Sequence, residues 1–113
     1  MIQITAQSHI LLAREAADFR KGIDGFLALC RSQLHQDPKQ DALFVFLNRS
    51  RTMIRMVRYD YNGFWLMTKR LSKGRFAPLA SGEGIAHLLT ARHLSLLLKG
   101  QAIPLDADFK NAS

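Results

Sequence analysis

Eight cationic side chains, Arg49, Arg51, Arg55, Arg58, Lys69, Arg70, Lys73 and Arg75, fall between Asn48 and Phe76, where Asp60 is the one acid. Groups of this kind, held on one surface, attract and orient phosphates, arginine through a planar fork of donors and lysine as a point charge. The stretch carries +7, which equals the formal net charge of the whole 113-residue chain, so the remaining residues sum to zero. A solvated strand face ordinarily mixes both signs, because like charges on neighbouring strands repel. A run of one sign is what a polyanion-binding surface would use. Tyr59, Tyr61, Phe64, Trp65 and Phe76 lie among the charges. They are of the type that stacks on bases, although Phe64 and Trp65 taken singly read as core, with Tyr61 at a turn open to either role.

Other chemistries are poorly supplied. No two of His9, His35, His87 and His93 stand at an i, i+4 spacing, and no His-Glu-x-x-His or paired-cysteine pattern occurs, so no metal site is expected. His87 and His93 are the pair closest to a shared ligand spacing. Glycine-rich phosphate loops are absent, and no cofactor is predicted. The carboxylates available for acid–base work are Asp18, Asp24, Asp60 and Glu83. Asp18 reads as a helix cap, Asp60 as a turn residue, and Glu83 as a loop residue without a partner, so the chain is not read as an enzyme. The single Cys30 sits in the apolar run FLALC, rules out an internal disulfide, and reads as a small buried hydrophobe suited to a reducing cytoplasm. No apolar run is long enough to span a bilayer, and the N-terminal residues lack a signal-peptide pattern, so a cytoplasmic protein without membrane contact is expected.

The elements that must position the cations can be read in turn. His9–Glu15 reads as a first strand. Phe19, Ile23, Phe26, Leu27, Cys30 and Leu34 recur at helical spacing behind Asp18, and Pro38 lies beyond the end of that helix. Ala42–Asn48 is short, apolar and rich in Phe and Val, as for a buried strand. Thr52–Asp60 alternates, with Ile54, Met56 and Arg58 on one side and Met53, Arg55, Val57 and Tyr59 on the other, so Arg55 and Arg58 are expected on opposite faces. Tyr61-Asn62-Gly63 reads as a hairpin turn in which Asn-Gly supplies the positive φ, and Phe64–Leu71 as the returning strand. Ser72–Phe76 is a turn, Ser81–Gly84 a flexible loop, and Thr90 caps a second helix that Gly100 stops. The expected fold is α+β, an antiparallel β-meander sheet with one or two helices packed on one face, forming a single domain over residues 1–103 with a frayed tail at 104–113.

Three segments then become recognisable: DFRKGIDGFLALC, LFVFLNRSRTMIRMVRYDYNGFWLMTKRLSKGRF and LTARHLSLLLKG. Together, and in this order, they resemble the Orf2-like accessory proteins (TnpB) of the insertion sequence 66 family of bacterial mobile elements. The chain departs from that pattern at Phe19 and at Met67-Thr68. The resemblance implies a non-catalytic helper of transposition that works beside a separate transposase, and it supplies no residue roles. Two expectations follow. In the first, the second strand, the hairpin and the KRLSKGRF turn form one basic face that binds DNA, to which only one of Arg55 and Arg58 can belong unless a bulge intervenes. In the alternative, the same face docks the transposase as a protein–protein adaptor with little or no DNA contact.

Overall fold

The computed structural model describes residues 9–78 and 84–103, together with the backbone of Asp108–Phe109. The chain runs β1 (His9–Ala13), α1 (Ile23–Ser32), β2 (Ala42–Leu47), β3 (Met53–Asp60), β4 (Gly63–Arg70), β5 (Ala86–Leu89), α2 (Ala91–Leu98) and β6 (Asp108–Phe109). One sheet contains all the strands among the described residues, in the order β4-β3-β2-β1-β5-β6. The expected meander is present as β2-β3-β4, antiparallel throughout. β1 and β2 are parallel, with α1 as the crossover between them, a connection that parallel neighbours require. The α+β class therefore holds, with one parallel pair at the centre of a mostly antiparallel sheet.

The two helices lie on opposite faces of the sheet rather than sharing one. Phe26 and Cys30 of α1 pack with Leu11, Phe44, Phe46 and Val57. Leu94 and Leu97 of α2 pack with Ile10, Leu12, Leu43, Val45 and Ile54. Central strands β1 and β2 are apolar at successive positions, and all of Ala42–Leu47 is buried. A strand of that kind presents hydrophobic side chains to both faces, and each face needs its own cover. Burying a side chain as large as Phe26 contributes about 2–3 kcal/mol.

α1 begins later than its periodicity predicts. Gly22 is the N-cap, in extended conformation, and no side chain caps the helix. Asp18 instead closes a local turn: its carboxylate accepts from the Arg20 backbone N–H at 3.0 Å and from the Arg20 guanidinium at 2.8 Å. Phe19 keeps its place in the apolar stripe without being helical, its ring edge-on to Phe26 at 5.4 Å. Cys30 is fully buried, and burial pushes its thiol up to about 12. At α2 the expected cap is present as a reciprocal box: Thr90 Oγ1 accepts from the His93 N–H at 3.0 Å, and the Thr90 N–H donates to His93 Nδ1 at 3.3 Å. Gly100, with φ of 80°, ends the helix and donates to the Leu97 carbonyl.

Three sequence expectations shift or fall outside the structure. At the β3–β4 turn the positive φ belongs to Tyr61 (54°), not to the Asn-Gly pair, and Gly63 already pairs with Asp60 as the first residue of β4. Strand β5 carries no sequence expectation, because four residues are too short for a period to register. Of the Ser81–Gly84 loop only Gly84 is among the described residues, so Glu83 lies outside them. The tail at 104–113 is likewise outside, apart from Asp108–Phe109, which pairs with β5.

Candidate nucleic-acid interface

The cations divide by the elements that carry them. The β2–β3 connection is held tight by Asn48, whose Oδ1 accepts from the N–H groups of Thr52 (2.9 Å) and Met53 (3.0 Å) while Nδ2 donates to Thr52 Oγ1 (3.0 Å). Arg51 takes a left-handed φ of 59° within it. The segment after β4 runs alongside: the Leu71 N–H donates to the Thr52 carbonyl at 3.0 Å and the Phe76 N–H to the Arg51 carbonyl at 2.7 Å. Phe76, 1% exposed, anchors that segment in the α2-side core. These two tied segments bring Arg49, Arg51, Lys73 and Arg75 to one end of the sheet, and Arg70, opposite Met53 at the end of β4, adjoins them. Arg49, Arg70, Lys73 and Arg75 are exposed and Arg51 is half-buried. Among the described residues, no carboxylate pairs with any of the five.

The other three predicted contacts are occupied within the fold. Arg55 turns toward α1, where its guanidinium donates to the carbonyls of Phe19 (2.9 Å) and Lys21 (3.1 Å) and to Thr68 Oγ1 (2.8 Å). It also lies over the rings of Phe19 and Phe26, at 4.8 and 5.3 Å. Arg58 is on the opposite face, as parity requires, and pairs with Asp41 at 2.7 Å. The Lys69 ammonium donates to the Leu98 carbonyl at the C-terminal end of α2 (2.6 Å), where the helix dipole favours a cation. The eight cations therefore do not form one face. Five are placed at the β2–β3 end, and Arg55, Arg58 and Lys69 brace the sheet against its neighbours.

The aromatics do not interleave with the five. Phe76 is core, and Phe64 packs half-buried against Tyr59 with ring centroids 5.0 Å apart. Trp65, expected as core, is 48% exposed and donates from Nε1 to Asp60 at 3.0 Å, while Tyr61 is 90% exposed at the hairpin tip. Both lie toward the far end of β4 from the cation cluster.

A cleft of about 770 Å³ opens beside the cluster, lined by Ala16–Arg20 on one side and by Asn48, Arg49, Ser50 and Met53 on the other. It brings Arg20 toward the cations, a residue the sequence reading passed over. The Asp18-x-Arg20 spacing that pairs the two was the available signal. Arg20 holds the Asp18 carboxyl down to about 2, chiefly through their hydrogen bonds. Among the described residues, no group of three or more potential metal-ligating side chains gathers.

A family model described as IS66 Orf2 like protein matches residues 8–106. The chain belongs to the IS66 Orf2-like family. It is thus an insertion-sequence accessory protein of a family regarded as non-catalytic. Among its relatives, the uncharacterized protein y4jC of Sinorhizobium fredii is 34% identical over 91 residues, covering 80% of this chain and 77% of the relative. The uncharacterized protein y4hO of the same organism is 35% identical over 92 residues, covering 80% and 78%. No solved structure matches this Orf2-like protein. No helix among its described residues is long and apolar enough to cross a membrane.

Proposed function

We propose that this Orf2-like protein binds DNA in the course of transposition, through Arg49, Arg51, Arg70, Lys73 and Arg75. The observation that carries the reading is that four of these residues sit on two hydrogen-bonded segments at one end of the sheet, with Arg70 beside them at the end of β4 and no carboxylate among the described residues pairing any of the five. Long cationic side chains on a rigid frame suit a phosphate backbone, and phosphate contacts position a protein without reading sequence. Binding is therefore expected to be weakly sequence-selective. With about five phosphates neutralised, log K falls against log salt with a slope near −4 to −5. Fluorescence anisotropy with duplex DNA across a salt series measures it, and a flat response rejects direct DNA binding.

A second reading makes the protein an adaptor on the transposase. Its support is a groove of about 370 Å³ beside α2, floored by Ala91, Leu94 and Leu98 and flanked by Lys69 and Lys99, a shape and charge suited to an acidic, partly apolar segment. Co-purification with the transposase that survives nuclease treatment, from a chain that shifts no DNA alone, would favour this reading over the first.

A further inference from the structure

Among the described residues β4 is the terminal strand of the sheet, and its outer edge is the feature neither proposed role uses. It is eight residues long, contains no proline, and keeps an unbroken register with β3 from Met53↔Arg70 to Asp60↔Gly63. Natural sheets normally blunt such an edge with a bulge, a proline or spread charge, because it is a template for another strand. Here the only charges are Lys69 and Arg70, at one end, and the other end carries Phe64 and Trp65.

The outward groups can be assigned. The Leu71 N–H bonds inward to the Thr52 carbonyl, so alternation along an antiparallel ladder turns Lys69, Met67, Trp65 and Gly63 inward as well. Phe64, Leu66, Thr68 and Arg70 then present their N–H and C=O groups to the outside. A second strand must bond through those residues.

We propose that the protein forms a two-fold dimer by antiparallel pairing of β4 with β4 of a second copy, in the register that sets Met67 opposite Met67. Only outward residues then bond to each other, Leu66 with Thr68 and Phe64 with Arg70. Trp65 falls opposite Lys69 of the second copy, on the α2 face, at a non-hydrogen-bonded position where side chains approach most closely. Phe64 falls opposite Arg70 of the second copy on the α1 face. The aromatic end of each strand thus meets the cationic end of the other, in four cation–aromatic pairs related by symmetry. The Lys69 ammonium, already on the Leu98 carbonyl, offers its aliphatic stem to the indole, and the Arg70 fork can stack while still donating in its plane. Parallel pairing in register would oppose Lys69 to Lys69 and Arg70 to Arg70. The second copy is favoured over a foreign strand because the edge is complementary to itself.

Sedimentation equilibrium of the full chain is expected to give a concentration-dependent dimer. Trp65→Lys, at an exposed position, is expected to raise its dissociation constant at least about tenfold with the far-ultraviolet circular dichroism unchanged. Met67→Cys is expected to give a disulfide-linked dimer under mild oxidation, since facing residues at such a position lie about 4.5 Å apart between Cα atoms, whereas Asn62→Cys does not. The buried Cys30 stays out of the reaction. A monomer at concentrations up to ~100 μM overturns the proposal. So does a dimer indifferent to Trp65→Lys, or a Met67→Cys protein that stays uncrosslinked; a strand from another protein bound to this edge while the chain alone is monomeric rejects it equally.

Discussion

The guanidinium of Arg55, on β3, donates to the backbone carbonyl of Phe19 at 2.9 Å while lying 4.8 Å from the centre of its ring. One side chain thus satisfies the carbonyls of the turn that leads into α1 and stacks on the aromatic residue that seals it. The cation ties the β1–α1 connection to the third strand, 36 residues away in sequence. Hydrogen bonds to a charged donor contribute about 1.5–3 kcal/mol, and removing the donor leaves carbonyls without their partner. Arg55→Ala is expected to lower stability by about 2 kcal/mol, read as a reduced urea midpoint with an unchanged slope. Its DNA affinity, measured well below the melting transition, is expected to stay at the wild-type value.

Charge removal at the β2–β3 end is expected to behave oppositely. The triple variant Arg49→Ala, Lys73→Ala and Arg75→Ala leaves exposed positions behind and changes stability little. Each lost phosphate contact reduces the salt slope by about 0.9, so the triple is expected to flatten it by about 3. Arg58→Ala, which removes the partner of Asp41, is the matched control and leaves the slope unchanged. Equal slopes for the two variants would show that the cluster is not where DNA lies.

Two glycines near the start of α1 make opposite demands. A Cβ added at Gly25 would lie 2.6 Å from the Cβ of Lys21, whereas one at Gly22 meets nothing within 4 Å. Alanine inside a helix is worth about 1 kcal/mol over glycine, but overpacking costs typically 1–3 kcal/mol. Gly25→Ala is therefore expected to be neutral to destabilising despite its better propensity, and Gly22→Ala to be tolerated. Thermal melts of the two variants decide the order.

Asp18 gives a pH signature for the cleft. Its carboxyl is held at about 2, below the ordinary 3.8, by hydrogen bonds from the Arg20 side chain and backbone and by the Arg20 charge. Because the folded value is depressed, its contribution to stability is complete above about pH 4 and is lost as pH falls through about 2. The pair lies at the surface, where solvent screens it, so the signature is a titration midpoint rather than a large change in stability. An NMR titration of the Asp18 carboxyl is expected to give a midpoint near 2, returning toward 3.8 in Arg20→Ala.

Much of this fold was legible along the chain, because several elements carry local signals. The β2-β3-β4 meander follows from short apolar or alternating runs, with the hairpin where Tyr61-Asn62-Gly63 places it although Tyr61 and not Asn-Gly takes the positive φ, and α2 from a threonine cap and a terminal glycine. Where local and tertiary demands differ, the structure departs from the local pattern. Phe19 matches the helical stripe because it fills the same core as Phe26, yet Asp18 and Arg20 close a turn that delays the helix to Ile23. The opposed helices were implicit in the unbroken apolar run of β2, but only the sheet order turns that run into two buried faces.

By itself the sequence determined the family, the α+β class, the excess of positive charge and the split of Arg55 from Arg58 across the sheet, since these depend on composition, motif and a period of two. The tertiary structure alone decided which cations are available. Whether an arginine meets a carbonyl, a carboxylate or solvent depends on which distant segment folds over it, and that is written in no local pattern. Phe19, Asp41 and Leu98 arrive from other parts of the chain to engage Arg55, Arg58 and Lys69, and the paired segments at Arg51 and Phe76 bring Arg49, Arg51, Lys73 and Arg75 to the end of the sheet where Arg70 closes β4.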